Sequence, residues 1–501
     1  MADDLRKKTR TGIFWTAFFN VIEFLVRFGS SIILARILFP EDFGLMGLAM
    51  IIVQFARRLA SFGFNMALVQ RKDVKEIHFH TTFWFNLFLF SSVTTIIFFS
   101  APYVAQFFDN DSLKNILRVI GFDFMIRSFI GVPRATLIKN MDFKKIGQIQ
   151  TFGSAAQMVS PIGFALAGFG VWSLIYGTLI GSCVESLLAV SFARWLPRFK
   201  FKYSALKEIF SFGMWVNITT YLNYFIKNVD YFFIGKFLGA AQLGFYTRAF
   251  NLMNLPRKRI QTTVNDVLFS TFSKIQEDNK RILNALLRIT TYISILSYPL
   301  MIGLYFAAPS LITVLYGPKW SATIYPFRVM CLSGLIYTFD LTFTPILMGK
   351  GLVSIQAMRQ LFNFGVLATC VAIGVKWGIN GVAWGVVIAS FASFSFNLQI
   401  ITSRMGLSLI RYFGAHRSTL TYGLVQIAAL AGFKFLVKSH IPDDSFTMLI
   451  SIMILSAISF LGSHLIVRFK DVNDIFTEFF SDSKKILRRV PFIKRFGFLG
   501  T

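Results

Sequence analysis

The chain has 501 residues, 55% of them hydrophobic, 60 of them Phe and only 15% charged. A mean hydropathy of +0.60 excludes a soluble enzyme of this size, whose surface would need many more polar side chains. The net charge of +27 could suit a nucleic-acid binder, but the cations are parcelled out between long apolar runs and form no single basic face, so no nucleic-acid partner is expected.

The opening "MADDLRKKTR" runs directly into an apolar stretch too long and too aromatic for a cleaved signal, which predicts an uncleaved first helix. A helix that crosses a bilayer needs about 20 mostly apolar residues, whereas barrel strands alternate over about 10. The long runs predict helices at 11–35, 44–69, 79–105, 113–133, 146–167, 170–193 and 206–234. The series continues at 242–270, 289–315, 321–348, 353–375, 378–402, 417–437 and 446–467. The expected fold class is therefore an all-α polytopic membrane protein of about 14 transmembrane helices.

Lys and Arg gather at the termini and in the even-numbered connections, which by the positive-inside rule puts both ends in the cytoplasm of a multi-pass inner-membrane protein. The tail "KKILRRVPFIKRFGF" mixes cations with Ile, Leu, Val and Phe, a composition suited to the anionic cytoplasmic leaflet. His78 and His80 are expected in a solvated cytoplasmic loop. Cys183, Cys331 and Cys370 have no C-x-x-C spacing, so they are expected to pack and not to bind metal.

The stretch "ILARILFPEDFGLMGLAM" at 33–50 returns as "FIGKFLGAAQLGFYTRAF" at 233–250. A constant shift of 200 aligns Trp15 with Trp215, Leu38 with Leu238, Gly44 with Gly244, Arg57 with Arg257, and Arg58 with Lys258. Six spans separate equivalent positions, and an even number restores orientation, so the halves are expected to be parallel repeats. The expected domains are a six-helix bundle over 1–204, a second over 205–404, two further helices over 405–470 and a basic interfacial tail over 471–501. Pro40 with Gly44, and the glycines at 239–244, are expected to turn an outer hairpin in each half.

A charge at the bilayer centre costs about 2.5–3.5 kcal/mol on insertion scales, so such residues face a bundle interior or a cavity. The cations Arg27, Arg57, Arg58, Arg118, Arg127, Lys227, Arg248 and Arg257 all fall within expected spans, as do the acids Glu23, Asp123, Glu185, Asp230, Asp266 and Asp340. Helical spacing pairs Glu23 with Arg27, Asp123 with Arg127, and Lys227 with Asp230. Arg57, Arg58, Arg248 and Arg257 have no acid at such spacing and are read as recurring across the duplication, which points to an anionic ligand. Guanidinium groups grip phosphate oxygens through paired charge-assisted hydrogen bonds, so a pyrophosphate-linked lipid fits, with Asn217, Tyr221, Asn223, Tyr224 and Asn228 offered to its glycan.

The pieces "LARILFPEDFGL", "FGFNMALVQ", "SFGMWVN", "NVDYFFIGKFLGAAQLGFYTRAFNLMNLP", "FSKIQEDNKRI" and "YGPKWSA" resemble the Wzx-type polysaccharide exporters, lipid-linked oligosaccharide flippases of the multidrug/oligosaccharidyl-lipid/polysaccharide superfamily. The resemblance implies two six-helix bundles that move undecaprenyl-pyrophosphate-linked sugar units to the outer leaflet by alternating access, for surface polysaccharide assembly. It implies cavity arginines at Arg27, at Arg57 or Arg58, and at Arg248 or Arg257. It also implies H+ or Na+ coupling, for which Glu23, Asp123, Asp230 and Asp340 are the acids available, with no other cofactor. Further implied partners are membrane lipid and other polysaccharide assembly proteins. A drug or metabolite exporter of the same fold would want a less cationic cavity. A membrane glycosyltransferase or polymerase would need acids or histidines presented on a sizeable outer loop, and the outer connections are short.

Overall fold

A computed structural model describes the backbone of residues 2–60, 68–70 and 74–467 together with Phe469 and Val472; within it, side chains 2–14, 16–17, 20, 207–223, 259–267, 269–271 and 466 are outside the description. Among the described residues the chain is helical throughout, with no strand. The helices are α1 (Ala2–Ile37), α2 (Pro40–Ala60), α3 (Glu76–Phe107), α4 (Ser112–Ile120), α5 (Phe122–Lys139), α6 (Phe143–Leu166), α7 (Val171–Ala193), α8 (Tyr203–Phe237) and α9 (Gly239–Lys274). They continue as α10 (Asn279–Tyr316), α11 (Ile324–Asp340), α12 (Phe343–Gly349), α13 (Val353–Gly374), α14 (Gly378–Met405), α15 (Leu409–Ala415), α16 (Arg417–Val437) and α17 (Phe446–Ile466). Short 3-10 turns occupy Pro318–Thr323 and Val375–Trp377.

Eight of the helical runs are long and apolar enough to cross a membrane, the longest being Val353–Met405, which holds two of the expected spans. Helices α1, α5, α8 and α9 fall outside that count and carry most of the candidate site residues. The expected span 113–133 is broken at Gly121, whose carbonyl accepts the Thr94 hydroxyl from α3 at 3.0 Å.

Contacts divide the chain into two compact units. The first holds 1–248, 315–323 and 367–382; the second holds 249–314, 324–366 and 383–501. In the first, Phe83, Val132, Ala135 and Leu206 build a buried apolar cluster that spans α3, α5 and α8. In the second, Phe272, Leu286, Phe343, Leu398 and Tyr412 do the same across α9, α10, α12, α14 and α15.

The α1–α2 turn follows from its residues. Pro40 opens α2, where its missing N–H and fixed φ cost nothing. Asp42, in the first turn, accepts the Phe39 N–H at 2.9 Å and sets a carboxylate at the positive end of the helix dipole. The α8–α9 turn instead uses Gly239 at φ +83°, a conformation open to glycine. Both turns lie within the first unit, and they meet. A Cβ on Gly44 would strike the Ala240 carbonyl oxygen, and one on Gly244 would strike that of Pro40. Under the shift of 200 these contacts exchange into one another, the self-complementary pattern that two-fold related copies make.

Candidate functional site

Arg248 projects from α9 into an aromatic cage in the first unit. Its guanidinium carbon lies 3.7 Å from the Phe43 ring centroid and 5.7 Å from the centroids of both Tyr316 and Trp320. Nη1 donates to the Ser31 hydroxyl at 2.6 Å. The cage is fixed by its own bonds: fully buried Trp320 donates from Nε1 to the Ala35 carbonyl at 2.8 Å. Around it, Lys319 donates to the Arg36 carbonyl at 2.9 Å and Arg36 to that of Leu315 at 3.1 Å. Rings hold a cation by their quadrupole without cancelling its charge. Among the described residues, no carboxylate pairs with Arg248.

Arg57 is in a different setting: it has no acid at helical spacing, but another helix brings it one. Its Nη2 donates to Asp123 Oδ2 at 2.7 Å, from α2 to α5. Arg127 Nε also holds Asp123, at 2.9 and 3.1 Å, and its Nη1 reaches Glu185 Oε2 at 3.3 Å. The Ser182 hydroxyl donates to Asp123 Oδ1. Asp123 is wholly buried. Gly153 lets α6 press against Glu185, since a Cβ there would overlap that side chain. Two guanidinium groups and two carboxylates make a cluster whose charges balance, although the buried Arg57 Nε has no hydrogen-bond partner among the described residues.

The other predicted residues are dispersed. Arg27 forms the expected pair with Glu23 at 2.5 Å, on an exposed face. Arg58 stacks over the Tyr224 ring at 5.3 Å, and that ring's hydroxyl donates to the Ile51 carbonyl. Arg118 lies 4.7 Å over Phe98 and donates to that residue's carbonyl at 3.4 Å. Lys227 is exposed, and Asp230 is satisfied elsewhere than the expected pairing: it accepts the Tyr246 hydroxyl and the Tyr231 N–H, both at 2.9 Å. Arg248 aligns with Leu48 under the shift of 200, so it does not recur across the duplication as expected.

In the second unit Arg257 sits 3.4 Å over the Tyr337 centroid and within electrostatic reach of Asp340. Asp340 accepts Asn397 Nδ2 at 2.6 Å, with Arg359 Nη1 at 3.7 Å. Arg359 was missed in the sequence, although an Arg inside the apolar run 353–375 was signal enough. Ser31, Tyr316 and Trp320 were missed as well, and only the "YGPKW" piece hinted at two of them.

Of the proposed glycan contacts, the side chains of Asn217, Tyr221 and Asn223 lie outside the described residues. Asn228 instead donates to the Tyr224 carbonyl of its own helix at 2.8 Å. The basic tail also lies outside them. His78 and His80 are not in a solvated loop; both are buried in the first turns of α3. His80 Nδ1 accepts the Arg198 N–H at 3.1 Å, and the His80 ring stacks on Trp195. Among the described residues, no cluster of three His, Cys, Asp or Glu side chains suits a metal.

The sequence pattern of the family described as "Polysaccharide biosynthesis protein" matches residues 33–325. The chain is 26% identical over 387 residues to the lipopolysaccharide biosynthesis protein WzxC of Escherichia coli (strain K12), covering 77% of this chain and 79% of that one. It is 26% identical to the succinoglycan biosynthesis transport protein ExoT of Rhizobium meliloti (strain 1021), over 89% and 95% of the two chains. Among solved structures, the lipid II flippase MurJ in an inward closed conformation shares the fold, with a TM-score of 0.72 at 14% identity and coverage of 90% and 98%. An inward-facing multidrug resistance transporter of the MATE family also shares it, with a TM-score of 0.61 at 17% identity and coverage of 77% and 94%.

Proposed function

This chain belongs to the polysaccharide biosynthesis protein family, and from that premise we propose that it is a flippase that carries lipid-linked oligosaccharide units across the cytoplasmic membrane. The substrate is a polyprenyl-pyrophosphate-linked oligosaccharide that moves from the inner to the outer leaflet by alternating access, with both protein termini in the cytoplasm. The observation that carries the reading is the Arg248 cage. A guanidinium braced by Phe43, Tyr316 and Trp320, with a hydroxyl beside it and no carboxylate, keeps a full positive charge for an incoming phosphate. A drug exporter selecting cations would place a carboxylate there.

The same reading divides the acids. Among the described residues, Asp123 and Asp340 are matched by arginines and Glu23 by Arg27, whereas Asp230 is met by Tyr246 and backbone. Asp230 is the proposed site of H+ coupling, and the protein works as a transporter with no catalytic step of its own. The test is depletion in the host followed by mass spectrometry of the extracted lipids. Accumulation of a cytoplasmic-side polyprenyl-pyrophosphate oligosaccharide with loss of surface polymer supports the reading; intact polymer with no accumulation in a host lacking a second flippase contradicts it.

A further inference from the structure

The second unit carries a cavity of about 500 Å³ that neither the charged clusters nor the cage uses. Its wall is a helical stripe of α14, with Phe391, Ser395, Leu398 and Thr402 at spacings of three and four, faced by Ile336 of α11. Leu409 and Phe413 of α15 close one end. The lining is almost wholly apolar, and the volume falls within the roughly 300–1,000 Å³ of ordinary ligand pockets. Phe391 is 60% exposed, so the cavity opens outward from the bundle. Ser395, Gln399, Thr402 and Ser403 also line it, yet its accessible wall is apolar and suits a hydrocarbon chain.

The rim supplies the second half of the recognition. Helix α15 exposes Leu409, Ile410 and Phe413, with Ile410 at 86%, and exposes Arg411 among them. That is the make-up of a short segment lying at the membrane surface. Arg404, in the last turn of α14, and Arg417, at the start of α16, are exposed on either side of it. No acidic residue occurs anywhere from 341 to 442. Arg411 also donates to Asn284 Oδ1 at 3.4 Å and Arg417 lies 5.9 Å from the Phe469 centroid, so neither is matched by a carboxylate among the described residues. An apolar slot lined partly by α15, with exposed arginines on and beside that helix, is complementary to one kind of molecule, an acyl chain that ends in an anionic phosphate.

We propose that this groove is a binding site for an anionic phospholipid of the bilayer, with one acyl chain between α11, α14 and α15 and its phosphate at Arg404, Arg411 and Arg417. The proposed occupant is bilayer lipid, not transported substrate.

The test is native mass spectrometry of the full chain with dioleoyl phosphatidylglycerol or dioleoyl phosphatidylcholine, coupled to a photoactivatable phosphatidylglycerol on the unmodified protein. Ser395 and Gln399 are exposed residues of the groove, so Ser395→Trp and Gln399→Trp fill it from two positions without touching the core. The expected result is phosphatidylglycerol retained at least fivefold over phosphatidylcholine, crosslinks within 391–413, and loss of the adduct in both Trp variants. The double variant Arg404→Glu/Arg411→Glu should erase the preference for the anionic lipid. Equal retention of the two lipids, or crosslinks confined to other helices, overturns the proposal. So does displacement of phosphatidylglycerol by an equal concentration of undecaprenyl phosphate, which would assign the groove to the substrate's tail. The photocrosslink is read on the wild-type chain, so a variant that fails to fold leaves the proposal testable.

Discussion

Arg57 and Arg248 lie one on each side of the same duplication, both in the first unit, and they meet opposite fates. Arg57 is held by a buried carboxylate 66 positions away, inside a cluster of two cations and two acids. Arg248 is held by three rings and a hydroxyl. Both side chains are ordered, but only one keeps net charge. Under the proposed function, the difference separates an arginine that makes buried charge tolerable from one kept for the anionic substrate.

The largest effect expected from breaking this contrast is at Asp123. Asp123→Ala leaves two guanidinium groups without their shared acid and should cost about 3–5 kcal/mol, read as lost expression and a lower thermal midpoint. Replacing Arg57 and Asp123 together by Met and Leu should recover most of that stability; a double variant as unstable as Asp123→Ala would break the self-neutralising account. Next is Arg248→Ala, which should leave insertion and folding intact and weaken anion binding by about 2 kcal/mol or more, some 30-fold. Arg248→Lys sharpens the point, since it keeps the charge but loses the planar stacking on Phe43, and should fall between the two.

Smaller effects test the edges. Tyr246→Phe removes a donor from buried Asp230 and should cost about 1–3 kcal/mol in a thermal melt. Under the proposed coupling, Asp230→Asn should flatten the dependence of export on pH while the protein still reaches the membrane; an unchanged pH profile would remove Asp230 from that role. Least of all, Arg118→Ala should change stability by under about 1 kcal/mol and export not at all, because the polar and ring contacts of Arg118 among the described residues are with Phe98. A transport defect there would mean that the site is more extended than the cage.

The helices were legible because apolar runs of span length leave no other structure that satisfies the backbone in lipid. The turns before α2 and α9 were legible from Pro40 and the repeated glycines, and the close approach of Gly44 to Ala240 and of Gly244 to Pro40 joins the two turns that the repeat aligns. Pairs set by one helix were legible too, as at Glu23 with Arg27 and Asp123 with Arg127. Spacing failed wherever the partner came from another helix. Arg57 found Asp123, Asp230 found Tyr246 and not Lys227, and Asp340 found Asn397 and Arg359. The cage was the least legible part, because it draws Ser31, Phe43, Arg248, Tyr316 and Trp320 from four stretches of chain and only the arginine stands out in an apolar sequence. His78 and His80 misled for the opposite reason: their polar surroundings suggest a loop, yet both lie buried in the first turns of α3, and the 195–202 segment folds back onto His80.

The account stands most directly on the affinity of the purified protein for undecaprenyl pyrophosphate, measured at equilibrium for the wild type, Arg248→Gln and Arg57→Gln at constant salt. It predicts that Arg248→Gln weakens binding about 30-fold while Arg57→Gln, in whatever fraction folds, weakens it far less. Equal affinity in Arg248→Gln and wild type, or a loss confined to Arg57→Gln, would contradict the claim that the caged arginine receives the phosphate.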